Sequence, residues 1–398
     1  MKKFIDVTPN VKWVGIVDQD ARKFHGEELS VNHGSSYNSY LIREDKIVLI
    51  DGVKATFSRE WIEKLKEEID LNRIDYLILN HCEPDHSGSI PDLVDEIPNV
   101  PIYCTQKARE ILEAYYGKRD WNFNIVKSGD NLSIGNKNLV FLEMKMLHWP
   151  DSMLTYLLED QILFSNDAFG EHYGANELFD DMVDEDILKY ECLKYYACIL
   201  SPFSKLIKLK LQEIEKMGLK FKIICPSHGV IWRKNPNGIV EKYRKWCEGY
   251  SENQILIVYD TMWNTTRKMA EVIADGIREV KPDWTIKLLN NGKTDLNDVV
   301  TEIFKSKGIL MGSSTINSSV LPSMGALLSS IKTIPYENKK VNFFGSYGWN
   351  GRAMDVFQKE LEKSALIISG ECLKIKWNLD EDTYIKAWGF GMNFATQL

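Results

Sequence analysis

His81-Cys82-Glu83-Pro84-Asp85-His86 follows the apolar run 74–79 and decides how the rest of the chain is read. Imidazole and carboxylate side chains stand at 81, 83 and 85, and a further imidazole at 86. Alternation in an extended loop predicts that 81, 83 and 85 point one way while 86 turns aside. One loop would then serve two adjacent metal ions. Three more candidate ligands each follow a strand-like run: His148 after 139–147, Asp167 after 161–164 and His228 after 221–224. Seven ligands with one shared carboxylate describe a dinuclear site. Cys82, between two inward-facing neighbours, is expected to point away from it.

Outward from that loop, 398 residues suffice for two domains with separate cores. A net charge of −8 argues against a nucleic-acid binder. No apolar run reaches the roughly 18–20 residues of a membrane span, and Met1-Lys2-Lys3-Phe4-Ile5-Asp6 leads into no apolar core. A cytoplasmic protein without membrane attachment is the expectation. The seven cysteines are scattered and never form C-x-x-C, a pattern of reduced thiols. It also speaks against a built-in rubredoxin module or a thiolate iron–sulfur cluster.

The break between domains is expected near Gly249-Tyr250-Ser251-Glu252-Asn253, dividing the chain into 1–250 and 251–398. Before it, strands are predicted at 12–17, 37–43 and 46–51, and helices at 58–69, 90–96, 107–116, 186–200 and 204–217. Several β runs are uninterruptedly apolar, as strands covered on both faces should be. Two central sheets with helices outside and ligand loops at one edge would fit. After the break, strands near 255–259, 284–289, 308–312, 341–345 and 373–377 alternate with helices near 265–280, 297–305, 323–331 and 351–363. That rhythm predicts right-handed βαβ units in a doubly wound, five-stranded parallel sheet.

In the second half, Thr261-Met262-Trp263-Asn264-Thr265-Thr266 joins the first strand to the first helix. Its hydroxyls and N–H groups suit a phosphate dianion at a helix N-terminus. Without G-x-G-x-x-G or a P-loop lysine, a single terminal phosphate is expected rather than a pyrophosphate. Two further loops, Ser314-Thr315-Ile316-Asn317 and Ser346-Tyr347-Gly348-Trp349-Asn350-Gly351, would clasp the ligand's ring, with Tyr347 and Trp349 stacking on or shielding it.

The 81–86 run, with the later His148, Asp167 and His228, resembles the metallo-β-lactamase superfamily signature H-x-H-x-D-H. The likeness covers about residues 30–230, including Tyr37-Asn38-Ser39-Tyr40-Leu41-Ile42 and the Leu49-Ile50-Asp51-Gly52 turn. It implies an αββα sandwich with Asp51 as an orienting residue behind the ligands. One departure matters: Glu83 stands where hydrolases have their second histidine. With His81, Glu83 and His148 on one ion, Asp85, His86 and His228 on the other and Asp167 bridging, each ion has two imidazoles and a carboxylate. Such donors suit iron better than zinc, and anionic oxygen favours ferric iron.

The three loops of the second half resemble the FMN sites of flavodoxins. Taken together, the chain looks like a flavodiiron protein of the minimal two-domain type. That resemblance implies FMN, two non-haem irons, and reduction of nitric oxide to nitrous oxide, of dioxygen to water, or both. It implies as well a small donor such as rubredoxin or a reduced deazaflavin, and a head-to-tail homodimer or dimer of dimers. His25, His172 and Tyr195 are candidates to line the pocket and supply protons or hydrogen bonds. The rival reading is a dinuclear zinc hydrolase with an appended flavodoxin-like module.

Overall fold

A computed structural model describes residues 3–26 and 28–398. The chain divides into two compact units, Met1–Arg244 and Lys245–Leu398. The division falls within the helix Pro236–Trp246, and the next strand starts at Glu252. Among the described residues no helix is long and apolar enough to cross a membrane.

The first unit holds a seven-stranded sheet ordered Ile5–Thr8, Val11–Trp13, Tyr40–Arg43, Ile47–Ile50, Tyr76–Ile78, Ile102–Cys104 and Phe123–Ile125. A five-stranded sheet runs Asn131–Ser133, Asn138–Glu143, Met153–Leu157, Ile162–Asn166 and Ile223–Pro226. The strand Ile47–Ile50 shows why its sequence is apolar throughout. Val48 and Ile50 join Phe141, Met153, Ile162 and Phe164 in a core between the sheets. Ile47 and Leu49 pack instead with Trp61, Leu65, Leu93 and Leu112 from the helices outside. Period-two alternation thus buries both faces, and helix, sheet, sheet and helix form the layers. The ligand-bearing segments all leave the C-terminal ends of strands.

Two predicted strands are each broken. Residues 12–17 divide into Val11–Trp13 and Ile16–Asp18, and 37–43 into Ser35–Tyr37 and Tyr40–Arg43. Val11–Trp13 pairs with Tyr40–Arg43, whereas Ile16–Asp18 pairs with Ser35–Tyr37 in a separate ribbon. The two segments cross closely at the break. A Cβ on Gly15 would lie 2.2 Å from the Tyr37 carbonyl oxygen, so only glycine lets them pass. The helix predicted at 186–200 is α-helical over Glu185–Tyr195 and widens to a π-helical turn at Tyr196–Leu200.

The second unit is a doubly wound parallel sheet. Thr285–Asn290, Glu252–Tyr259, Ser306–Ser314 and Lys340–Tyr347 lie side by side, the sequence order second, first, third, fourth. The fifth position is shared by Ile367–Ile368 and Leu373–Lys376, both paired with Lys340–Tyr347. The edge is therefore one interrupted strand, and the switch point lies between the first and third strands.

A C-terminal helix, Glu381–Thr396, was not among the predicted elements. Its start was marked: Asp380 and Thr383 form a reciprocal capping box. Gly389 and Gly391 fall within it, residues that lower helix propensity. Their neighbourhood explains one of them. A Cβ on Gly391 would meet the Ile273 carbonyl oxygen at 2.2 Å, and one on Gly276 the Trp388 carbonyl oxygen at 2.0 Å. Glycines on both helices let Thr265–Val280 and Glu381–Thr396 touch backbone to backbone. Gly391→Val is expected to destabilise this unit by about 2–3 kcal/mol through overpacking, read as a lowered Tm. An unchanged Tm would show that the crossing is not tight.

Candidate metal centre and cofactor loops

Pro84 changes the local geometry from what alternation predicts. It opens a helical turn over Pro84–Ser87, with Glu83 still extended at φ −57° and ψ 143°. The loop is therefore extended to 83 and helical from 84, so Asp85 does not point with His81 and Glu83. It turns with His86. Proline at the first helical position costs no hydrogen bond, since that N–H would be unpaired anyway.

Folding brings the seven candidates together in two groups, His81, Glu83, His148 and Asp167, and Asp85, His86 and His228. The first group is closely spaced. Glu83 Oε2 lies 3.3 Å from His81 Nε2 and 3.5 Å from His148 Nε2. In the second, Asp85 Oδ2 lies 3.4 Å from His86 Nε2 and 3.1 Å from His228 Nε2. Asp167 stands between them. Its Oδ2 is 3.1 Å from His148 Nε2 and 3.6 Å from His81 Nε2, while its Oδ1 is 3.1 Å from His86 Nε2 and 3.6 Å from His228 Nε2.

These atoms fit metal ions better than they fit one another. Both Asp85 carboxylate oxygens, Asp167 Oδ1 and both His86 nitrogens are buried with no hydrogen-bond partner. Close but misaligned donors aim at common points rather than at each other. Two ligands each about 2.1 Å from an ion stand roughly 3–3.5 Å apart, the spacing seen here. Three carboxylates brought this close together also gather negative charge that two cations would balance.

The electrostatics agree. Burial opposes ionisation of Glu83, yet hydrogen bonding with His25 and His81 holds its carboxyl down at about 2. Burial also opposes charge on Asp167, and His86, His148 and His81 outweigh it, leaving the acid well below the usual range. His86 is pushed up to about 9, because Asp85 and Asp167 overcome its burial. Each group draws toward the charge of its neighbours.

Behind the candidate ligands lies Asp51, the orienting residue that the resemblance implies. Asp51, at φ +56°, accepts from the Asn80 N–H at 2.7 Å and the Asn80 side chain at 3.2 Å. It braces the segment leading into His81 without touching an imidazole. Asp151 makes the contact instead, at 3.1 Å from His81 Nδ1, and also accepts the Cys82 N–H at 2.7 Å. His228 Nδ1 lies 2.6 Å from the Ser36 carbonyl oxygen. A carbonyl or carboxylate acceptor at Nδ1 favours the tautomer whose Nε2 can serve as a ligand atom. Asp151, in Pro150-Asp151-Ser152 just past His148, carried no periodicity that singled it out. Cys82 is fully buried in the helix-side core.

His25 Nε2 lies 3.2 Å from Glu83 Oε1, the oxygen turned away from His81. His25 itself takes φ +48°, uncommon for a non-glycine residue. His172 Nδ1 is 2.8 Å from the Ser35 hydroxyl, and its Nε2 is buried without a partner. Burial, with His228 and His25 nearby, holds His172 well below the usual histidine range and so neutral. The Tyr195 ring centroid stands 5.1 Å from His172 and 6.4 Å from His228. Burial, and then Asp167, raise the Tyr195 phenol well above its ordinary value, so its proton stays.

In the second unit, three hydroxyls from the three predicted loops meet. Thr266 Oγ1 is 3.0 Å from Ser314 Oγ and 2.9 Å from Ser346 Oγ, which are 3.1 Å apart. Asn264 precedes the helix Thr265–Val280 in a left-handed conformation, φ +67°, and Asn317 at φ +48° turns the second loop. Thr261 Oγ1 is buried without a partner, as a hydroxyl kept for a phosphate would be. Thr265 is used otherwise, donating to the Trp377 carbonyl at 2.8 Å. That contact, and the Trp377 N–H to the Tyr347 carbonyl at 2.8 Å, add Trp377 to the rim. Met262, Trp263 and Trp349 are exposed there, the two tryptophans at 87% and 84%. The Thr315 N–H bonds the Ser346 carbonyl at 2.9 Å, and Asn350 reaches Ser318 at 3.2 Å, closing the second loop on the third. Ile316 and Gly351 complete those loops, with Gly348 between Tyr347 and Trp349.

A model described as ODP family beta lactamase matches residues 36–229, and a flavodoxin model matches 257–388. The chain is 48% identical over 377 residues to the anaerobic nitric oxide reductase flavorubredoxin of Pectobacterium atrosepticum, covering 94% of this chain and 74% of that one. The enzyme of the same name from Escherichia coli O1:K1 is 47% identical over 394 residues, 99% and 82% of the two chains. Among solved structures, rubredoxin oxygen:oxidoreductase from Desulfovibrio gigas superposes with TM-score 0.95 at 31% identity, over 99% of this chain and 98% of that one. The flavodiiron protein from Giardia intestinalis gives the same score and identity over 100% and 97%.

Proposed function

The chain belongs to the flavodiiron protein family, and we propose from that premise which residues carry its chemistry and what it reduces. It is an oxidoreductase of the nitric oxide reductase type with FMN and a non-haem diiron centre, not a zinc hydrolase. When bound, FMN collects electrons and the iron pair delivers them to a small gas. In our reading His81, Glu83 and His148 would hold one iron and Asp85, His86 and His228 the other, with Asp167 between the two groups. That bridging geometry, two oxygens facing two separate trios, is the observation that carries the assignment.

The remaining side chains shape what happens beside the irons. His25 fixes the outer oxygen of Glu83, so that one oxygen is left for the metal. Tyr195 keeps its proton and can donate a hydrogen bond to a bound gas, while neutral His172 supports the wall next to His228. In the second unit, Thr261, Thr266, Ser314 and Ser346 would hold the FMN phosphate. Residues 315–317 and 347–351 would frame its ring, with Met262, Trp263 and Asn264 at the rim. Nitric oxide is the substrate we favour from the relatives, and dioxygen fits the same open positions.

We further propose a cytoplasmic enzyme fed by rubredoxin, named in both sets of relatives, or by a reduced deazaflavin. It would work as a head-to-tail homodimer, or a dimer of such dimers, with one subunit's exposed Trp263 and Trp349 facing the other's metal loops.

The direct test is composition. Protein purified after expression in iron-replete medium is expected to contain two irons and one FMN per chain. Stoichiometric zinc with negligible iron would overturn the assignment. A second expectation concerns Asp151. Asp151→Ala should weaken iron binding by about 10–100-fold, because His81 loses its tautomer and direction. Unchanged iron affinity, measured by chelator competition, would remove Asp151 from the site.

A further inference from the structure

We propose that a second, apolar cavity in the metal-binding unit binds the gaseous substrate and passes it to the diiron site. This inference rests on the functional reading above. The cavity, of about 40 Å³, is walled by Leu147, Phe169, Leu200, Ile207, Leu211 and Tyr243, among others. Its wall is continuous with the metal loops. Leu147 immediately precedes His148, and Ala168 and Phe169 immediately follow Asp167. The far wall comes from the helices Ser204–Lys216 and Pro236–Trp246 and from the π-helical turn Tyr196–Leu200. That turn continues the helix whose last residue is Tyr195, so one element presents Tyr195 beside His172 and His228 and Leu200 to the cavity. Wide turns of this kind often occur where a helix serves a site.

The chemistry of the walls selects the occupant. Almost all are aliphatic or aromatic, and the two polar side chains are already engaged. The Tyr243 hydroxyl accepts the Phe169 N–H at 3.0 Å, and Lys210 pairs with Glu213 at 2.7 Å. Such walls offer a water few partners, whereas a small apolar molecule loses nothing against them. The volume admits a diatomic gas and excludes a metabolite, since ligand pockets for those run to several hundred Å³. Nitric oxide and dioxygen are sparingly hydrated and apolar, and an apolar recess against two of the metal-loop segments would raise their local concentration.

Xenon supplies the probe, because it enters dry apolar cavities and is seen without turnover. Crystals of the holoenzyme under xenon pressure are expected to show density between Leu147, Leu200 and Leu211. Leu211→Phe, with Ile207→Phe as a second variant should the first fold poorly, is expected to abolish that density. The same variants should lower kcat/KM for nitric oxide by roughly tenfold at unchanged kcat, with iron, FMN and flavin reduction rate as in the wild type. Absence of xenon from the wild-type cavity would overturn the proposal. So would a filled cavity with kcat/KM unchanged, which would make it a packing gap. A wild type that binds xenon but turns over neither gas would strike the functional reading instead, leaving gas binding in the cavity supported.

Discussion

Glu83→His is expected to lower nitric oxide reduction by on the order of 100-fold, about 2.7 kcal/mol of transition-state stabilisation, while FMN stays bound. Three effects act together. The metal near His81 and His148 loses an anionic oxygen and gains a neutral nitrogen, which shifts preference from ferric iron toward zinc. His25, now 3.2 Å from Glu83 Oε1, loses its partner. The carboxylates of the candidate ligand set fall from three to two, so less negative charge would be available to balance two oxidised metals. The backbone should accept the change, because Glu83 is extended and stands just before the helical turn. Glu83→Gln separates charge from geometry, since it keeps the size and removes only the anion. Gas consumption by flavin-replete protein with a reduced donor is the measurement. Wild-type turnover in Glu83→His would show that the carboxylate does not set the redox role of this site.

Thr266→Glu should empty the flavin site and leave the irons in place. Thr266 is fully buried, with its hydroxyl beside Ser314 and Ser346. A carboxylate there faces the phosphate dianion, and each pair of unit charges at about 4 Å costs roughly 4 kcal/mol near a protein surface. Affinity would fall by several powers of ten. Thr266→Val controls for damage to the fold. It removes only the hydroxyl and should weaken FMN by roughly tenfold. Flavin absorbance and iron content, measured on one preparation, decide the matter. Loss of both cofactors from a folded variant would mean that the two sites are not borne by separate units.

What could be read beforehand was mostly local. Donor types at 81, 83, 85 and 86, each later ligand after its strand, and hydroxyls beside the first helix of the second half all depend on near neighbours in the chain. So does the strand–helix rhythm of 255–363, because each βαβ unit is a short-range pattern. The misreadings were of two kinds. At Pro84 a local signal was present and undervalued: proline at a helix start outweighs the alternation of its neighbours. At 381–396 no helix was predicted, although Asp380 and Thr383 mark its start and Gly391 serves contact between two helices.

The sequence by itself therefore determined the chemistry available to this protein, imidazoles, carboxylates and hydroxyls set on loops after apolar strands. Composition and periodicity act over a few residues and are written directly in the chain. Only the tertiary structure decided where those groups point. It gathered Asp85 and His86 with His228, and His81 and Glu83 with His148, and set one oxygen of Asp167 toward each group. It set Asp151 against His81 and Asp51 against Asn80, and it left an apolar cavity beside Leu147 and Phe169. Such directions arise where segments distant in sequence pack together, and close packing rather than any local propensity fixes each side chain's aim.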